Sequence, residues 1–254
     1  MREKSLPTID INCDLGEGQT LTDCKKDAAL MPYISRCNIA CGGHAGNPDT
    51  MRQTLKNAYR HRLKAGAHPS YPDRANFGRK SLNITQTALL ESIKIQVDRL
   101  ISIATDEGIT LAHIKCHGAL YNDAESQPEL AEALVKFFRA EYPDFAIMGL
   151  ANGAMQAAAG HFKQPFIREG FMDRAYQRDG KLVPRTQPGA VYKAVDKTIT
   201  QAVLLAKGEA INSIEKSPLS VYIDSICLHG DNPNAQHVAK QLFDALKRQG
   251  ISVA

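Results

Sequence analysis

Leu111-Ala-His-Ile-Lys-Cys-His-Gly-Ala-Leu-Tyr-Asn122 is the stretch from which the fold is read. Side chains two apart on a strand share a face, so a short strand over 111–117 sets Lys115 and His117 side by side. A cation and an imidazole held together at a strand's end cost stability unless something anionic or polar lies between them. Gly118 then lets the backbone turn sharply or approach a ligand closely. Tyr121 and Asn122 fall in the loop that follows. Read alone, the pair is equally a buried histidine and a lysine reaching for solvent. What favours a functional reading is that the arrangement recurs along the chain.

Toward the N-terminus, Gly66-Ala-His-Pro-Ser-Tyr-Pro-Asp73 closes another strand-like run. The residue before proline is biased to extended backbone, which holds His68 outstretched. Arg79 follows on the stiff Phe77-Gly-Arg-Lys80 loop. Earlier still, Ile34–Cys41 reads as a strand entering Gly42-Gly-His-Ala-Gly46, which leaves the ring of His44 uncovered. Asn47-Pro48 then opens a helix, with Asn as N-cap and Pro at the first helical position. Thr8–Asp14 is a strand with Asn12 and Asp14 on one face, running into Asp14-Leu-Gly-Glu-Gly18. An acidic, Gly-rich turn also serves simply to cap a helix or reverse the chain. Helices are expected over Asp23–Met31, stopped by Pro32, and from an Asn83-x-x-Gln86 capping box to Glu107. Met51, Leu55 and Ala58, and then Leu90, Ile93, Val97, Leu100 and Ala104, give apolar stripes at helical spacing.

Toward the C-terminus, a helix over Pro128–Arg139 precedes a strand over Phe145–Leu150 and a small-residue helix over Ala154–Ala159. A strand over Pro165–Glu169 has Glu169, Asp173 and Arg174 crowded at its exit, a group that on a surface would be an ordinary ion-pair cluster. Residues 177–190 form a long loop containing Arg185, of the kind that often serves as a lid or binding element. A helix over Ala194–Lys207 and a strand over Ser220–His229 follow. His229-Gly-Asp-Asn-Pro233 repeats the earlier junctions, with Asn232 as N-cap, Pro233 in the first turn of a helix to Gln249, and 251–254 as a short tail.

Seven strands alternating with helices predict a parallel α/β architecture in a single domain over residues 1–254. In such folds functional groups collect at the carboxyl ends of the strands. Those ends carry Asp14, His44, His68, Lys115 with His117, Glu169 with Asp173, and His229 with Asp231. His61, His161 and His237 fall elsewhere and read as structural or exposed.

The 254 residues are 43% apolar and 23% charged, ordinary globular values, with a net charge of +4. Basic residues are scattered and not interleaved with aromatics, which argues against nucleic acid as a partner. No apolar run approaches the ~20 residues of a membrane span, and Met1-Arg-Glu-Lys-Ser-Leu-Pro7 has no secretory hydrophobic segment. The six cysteines lack a C-x-x-C pair and read as free thiols, which predicts a soluble protein of the reducing cytoplasm.

A ring of imidazoles with carboxylates suits two kinds of chemistry. It suits zinc-activated water, although no H-E-x-x-H spacing supports that, and no tightly bound metal is expected. It also suits acid/base work on a polar carbonyl substrate, with Lys115, Arg79 or Arg174 neutralising an anion. No P-loop and no G-x-G-x-x-G after a strand is present.

Seven blocks carry a resemblance: Asp10–Gly18, Asn38–Gly46, Gly66–Asp73, Phe77–Arg79, Lys115–Asn122, Asp173–Tyr176 and Cys227–Pro233. In this order they resemble the family of 5-oxoprolinase A subunits, also called the LamB/YcsF family. The chain departs from the family pattern at Gln19-Thr20, Cys116 and Met172. The resemblance implies an incomplete, seven-stranded TIM-like barrel of the glycoside hydrolase/deacetylase type. It implies ATP-dependent opening of the lactam of 5-oxoproline to L-glutamate, with Mg²⁺ accompanying ATP, in concert with separate B and C subunits. Self-association is compatible with the sequence. Under this reading Asp14 or Glu169 is the base, and His44, His68 and His117 move or orient protons. Lys115 partners an anion with Arg79 or Arg174, while Asn12, Asn122, Asp173, His229 and Asp231 complete the binding set. Two rival readings are a stand-alone metal-dependent amidase or deacetylase, and a non-catalytic regulatory subunit.

Overall fold

The structure, a computed structural model, describes residues 7–230 and 234–254. Its strands are β1 (Thr8–Leu15), β2 (Arg36–Ala40), β3 (Lys64–His68), β4 (His113–Lys115), β5 (Ala146–Leu150), β6 (Phe166–Phe171), β7 (Ile211–Asn212), β8 (Pro218–Leu219), β9 (Ser225–Leu228) and β10 (Ser252–Val253). Seven of them, β1 to β6 and β9, pair in parallel, and β9 closes back on β1. The result is the expected TIM-like barrel with seven strands. The helices are α1 (Leu21–Ala28), α2 (Pro48–Arg60), α3 (Gln86–Asp106), α4 (Gly118–Ser126), α5 (Pro128–Glu141), α6 (Ala154–Phe162), α7 (Val195–Lys207) and α8 (Ala235–Arg248).

Strand alternation sorts β1 into two sets. Ile9, Ile11, Cys13 and Leu15 join one core with the helical stripes Met51, Leu55 and Ala58 of α2 and Ile93, Val97 and Leu100 of α3. Asp10, Asn12 and Asp14 alternate with them and point into the barrel. Branched apolar residues usually fill such an interior. Here it is polar and hydrogen-bonded from end to end. Asp10 receives Arg36 Nε at 3.0 Å and Ser225 Oγ at 2.6 Å. Arg36 Nη1 lies 3.2 Å from Nδ1 of His113, whose Nε2 is 2.7 Å from Asn38 Oδ1. Asn38 Nδ2 donates onward to Asn12 and Asp14, at 2.9 and 2.7 Å. Buried polar groups are tolerated when satisfied in this way. Gly66 makes the room: a Cβ there would lie 2.3 Å from the His113 ring.

Several local expectations are corrected. Tyr121 and Asn122 lie within α4, not in a loop. Gly118 takes φ +59° and starts that helix at once, where a Cβ would meet the Gly78 carbonyl oxygen at 2.5 Å. Thr85, not Asn83, caps α3, its hydroxyl accepting from Ala88 N at 3.3 Å. The helix expected to run to Met31 ends at Ala28, and Pro32 sits in a separate 3₁₀ turn over Met31–Tyr33. The strand expected over 220–229 pairs only over Ser225–Leu228. Residues 251–254 are more than a tail, since Ser252 and Val253 pair with Thr8 and Ile9 of β1. The expected cap Asn232-Pro233 and the candidate Asp231 lie outside the described residues. All six cysteines are free and buried. Among the described residues no helix is long and apolar enough to cross a membrane.

Candidate active site

At the carboxyl ends of the strands the barrel opens into a cleft of about 590 Å³. Asp14, His68, Lys115 and His117 line it, as do Arg79, Asn122, Arg174 and His229. Residues expected at separate strand exits thus share one cavity. Lys115 stands at its floor, 3% exposed, with Nζ 3.1 Å from Asp14 Oδ1, 2.7 Å from Glu169 Oε1 and 3.2 Å from Asn12 Oδ1. Burial alone would lower the lysine pKa, but Asp14 and Glu169 hold it well above the usual value. Asp14 responds in kind. Burial would raise its pKa, yet His68 and Lys115 keep it well below the ordinary carboxylate range.

The two candidate bases are now distinguishable. Asp14 reaches the cleft, with 19% of its side chain exposed. Glu169 is fully buried and meets Lys115 from within the barrel. Asn12 likewise stays inside, bonded to Asn38, Ser225 and Lys115.

A second group of side chains adjoins Asp14. His68 Nδ1 bonds the Lys115 carbonyl at 2.8 Å, and its Nε2 faces Asp14 Oδ2 at 3.3 Å and His117 Nδ1 at 3.0 Å. His117 Nε2 bonds the Phe77 carbonyl at 3.0 Å. The His44 ring stacks on that of His117 with centroids 3.6 Å apart, and its Nε2 meets Glu17 Oε1 at 3.0 Å. Burial, reinforced by His68, pushes His44 down to about 2. Burial with His68 and His44 pushes His117 down to about 3. Both rings are therefore neutral, with a single N–H each, at neutral pH. Burial and the neighbouring Asp14 raise the pKa of Glu17. Sequence reasoning misses Glu17, because its Gly-flanked turn looks like a cap. The donor atoms of Glu17, His44, His68 and His117 lie within 4.8 Å of one another and are candidate metal ligands.

The rim is cationic. Arg79, Lys181 and Arg185 line it, and Arg174 donates from Nη2 to the Val183 carbonyl at 2.7 Å. His229 accepts from Arg185 at Nε2, 3.0 Å away, so its Nδ1–H donates to Asp173 Oδ2 at 2.7 Å. Burial would raise the Asp173 pKa, but His229 holds it down. Leu182 to Thr186, from the long loop between β6 and α7, form one wall. Ala175, Val183 and Ala190, all within that loop, pack together as a small apolar cluster. His61, His161 and His237 are exposed, apart from the cleft.

The chain is similar to proteins of known sequence along its whole length. It is 38% identical to the A subunit of the Bacillus cereus 5-oxoprolinase over 249 residues, 98% of each chain. It is 38% identical to the A subunit of the Bordetella pertussis 5-oxoprolinase over 247 residues, 97% of this chain and 98% of that one. The crystal structure of the lactam utilization protein from Thermus thermophilus superposes with a TM-score of 0.90 at 29% identity, over 97% of this chain and 98% of that one. The LamB/YcsF family model matches residues 9–254, and the chain belongs to the LamB/YcsF family.

Proposed function

We propose that this chain is the A component of a cytoplasmic, ATP-dependent 5-oxoprolinase that opens the lactam of 5-oxo-L-proline to L-glutamate with separate B and C subunits. The observation that carries the reading is Asp14. It is an anionic carboxylate at the floor of a cleft, clamped by Lys115 and His68 beneath a rim of arginines. Its relatives' names, which denote 5-oxoprolinase A subunits and a lactam utilization protein, support the same reaction.

A lactam resists water because amide resonance withdraws electrophilicity from its carbon. ATP supplies a phosphoryl group that turns the lactam oxygen into a leaving group. Arg79, Lys181 and Arg185 suit the phosphoryl group or the substrate carboxylate, since guanidinium and ammonium groups pair with such oxygens. Water then adds to the activated carbon and passes a proton to Asp14, and the C–N bond breaks as that proton reaches the ring nitrogen. This leaves an acyl phosphate, which a second water cleaves to the glutamate carboxylate and inorganic phosphate. Asp14 is a weak base, and activation of the carbon lets a weak base suffice. His44 and His117, held neutral, orient Glu17 and His68 and are not imidazolium acids at pH 7. Lys115 and Asn12 keep the Asp14 carboxylate in place.

The test is glutamate release from 5-oxoproline with ATP, using the chain with and without its B and C partners. Release that needs all three subunits supports the reading. Amide hydrolysis by the isolated chain without ATP would favour the stand-alone amidase, and no binding of labelled 5-oxoproline would favour a regulatory subunit.

A further inference from the structure

The hydrogen bonds around His68 and His117 fix where their protons sit. A carbonyl oxygen only accepts, so His68 carries its proton on Nδ1, facing the Lys115 carbonyl. By the same logic His117 carries its proton on Nε2, facing the Phe77 carbonyl. Unless a second proton or a metal ion occupies the gap, the other two nitrogens, Nε2 of His68 and Nδ1 of His117, are then bare. They face each other at 3.0 Å. Two lone pairs at hydrogen-bonding distance repel, and the arrangement holds only if something positive lies between or beside them.

The surroundings supply negative charge for such a guest. Glu17 Oε1 is 3.4 Å from His117 Nδ1 and 3.0 Å from His44 Nε2, and Asp14 Oδ2 is 3.3 Å from His68 Nε2. The donors of Glu17, His44, His68 and His117 lie within 4.8 Å of one another, somewhat wider than the ~3.4 Å between donors of a tetrahedral ion with bonds of about 2.1 Å, so the side chains would draw in around an ion. Backbone carbonyls behind the other ring nitrogens are the support that orients ligating histidines in metal sites. Glu17, His68 and His117 also line the cleft, so an ion held there keeps a side open to substrate or water.

We infer that Glu17, His68 and His117, with His44 as a further donor, form a binding site for one divalent first-row transition ion such as Zn²⁺ or Co²⁺. The mixed imidazole and carboxylate set suits these metals better than Mg²⁺ or Ca²⁺, which take oxygen ligands. The inference goes beyond the lactam reading and does not depend on it.

The test uses the full-length chain alone, stripped by a chelator, without lactam, ATP or partner subunits. Co²⁺ is titrated and read by its visible d–d absorption, and Zn²⁺ by calorimetry. One ion per chain is expected, with affinity reduced about tenfold or more in Glu17→Gln and in His68→Gln. The control His161→Ala, on the exposed end of α6, keeps wild-type affinity. Circular dichroism verifies folding, and Glu17→Gln alone suffices if His68→Gln does not fold. Absence of a cobalt spectrum and of stoichiometric zinc, or binding unchanged in Glu17→Gln, would overturn the inference and leave a shared proton between the two rings. Because no turnover is measured, that outcome says nothing against lactam opening, and failure of glutamate release says nothing against the metal.

Discussion

Lys115 and Asp14, 101 residues apart in the chain, meet at 3.1 Å in the mouth of the barrel. The lysine also holds Glu169 at 2.7 Å, so one buried cation answers two carboxylates.

Removing that cation strands two buried charges. Lys115→Met should therefore cost about 3–5 kcal/mol, the usual penalty for breaking a buried ion pair from one side. Urea denaturation at pH 7 measures it. The loss should shrink as the solution is made acidic, because carboxylates deprived of their cation take up protons more readily. A cost under ~1 kcal/mol at pH 7 would contradict the geometry.

Asp14 and Glu169 should separate in mutagenesis. Asp14→Asn leaves the Lys115–Glu169 pair in place and should cut complex-dependent glutamate release by about 10²–10⁴-fold, the worth of a general base, with little change in melting temperature. Glu169→Gln alters a fully buried partner of Lys115 and should lower stability more than Asp14→Asn does. Near-normal turnover in Asp14→Asn would remove Asp14 from the chemistry.

The buried histidines predict acid sensitivity. Unfolded histidine protonates near pH 6.5, whereas His44 and His117 in the folded chain do so only near about 2 and about 3. Between these limits the unfolded chain binds more protons, so stability is full above pH 6.5 and falls as pH drops toward 3. In metal-free protein, unfolding midpoints should decline from about pH 7 to about pH 4, and a His44→Gln, His117→Gln double variant should flatten the slope. A wild-type profile that is level over this range would argue against two neutral buried rings.

Gly66 tests the polar interior. A Cβ at this position would lie 2.3 Å from His113 Cε1, and that ring is pinned between Arg36 and Asn38. Gly66→Ala should destabilise by about 1–3 kcal/mol through overpacking, read as a lower urea midpoint at unchanged slope. An unchanged midpoint would mean that the ring can move.

Much of the fold and site is legible because the inward and outward faces of a strand alternate. Asp10-Ile-Asn-Cys-Asp14 and His113-Ile-Lys-Cys-His117 each write polar and apolar residues in turn, and the structure points the two sets to opposite faces. The helix opening at Asn47-Pro48 follows from local chemistry and is found as expected, with the Asn47 side chain accepting from Asp49 and Thr50. Tyr121 and Asn122 read wrongly as loop because Gly118 looks locally like a chain breaker, and only its contact with Gly78 shows that it seats a helix start instead. Glu17 is illegible for a related reason. Its partners His44 and His117 lie 27 and 100 positions further along, and nothing near Glu17 in the chain signals either.

The number of barrel strands, the parallel α/β layout and the clustering of histidines at strand exits were determined by the sequence alone, since each follows from residues within a few positions of one another. Which carboxylate reaches the cleft, which ring nitrogens confront each other and which side chains fill the barrel were decided only by tertiary structure. Closing β9 onto β1 brings Asn12 within 2.9 Å of Ser225, 213 residues away, and no local pattern encodes a contact made by closing the ring.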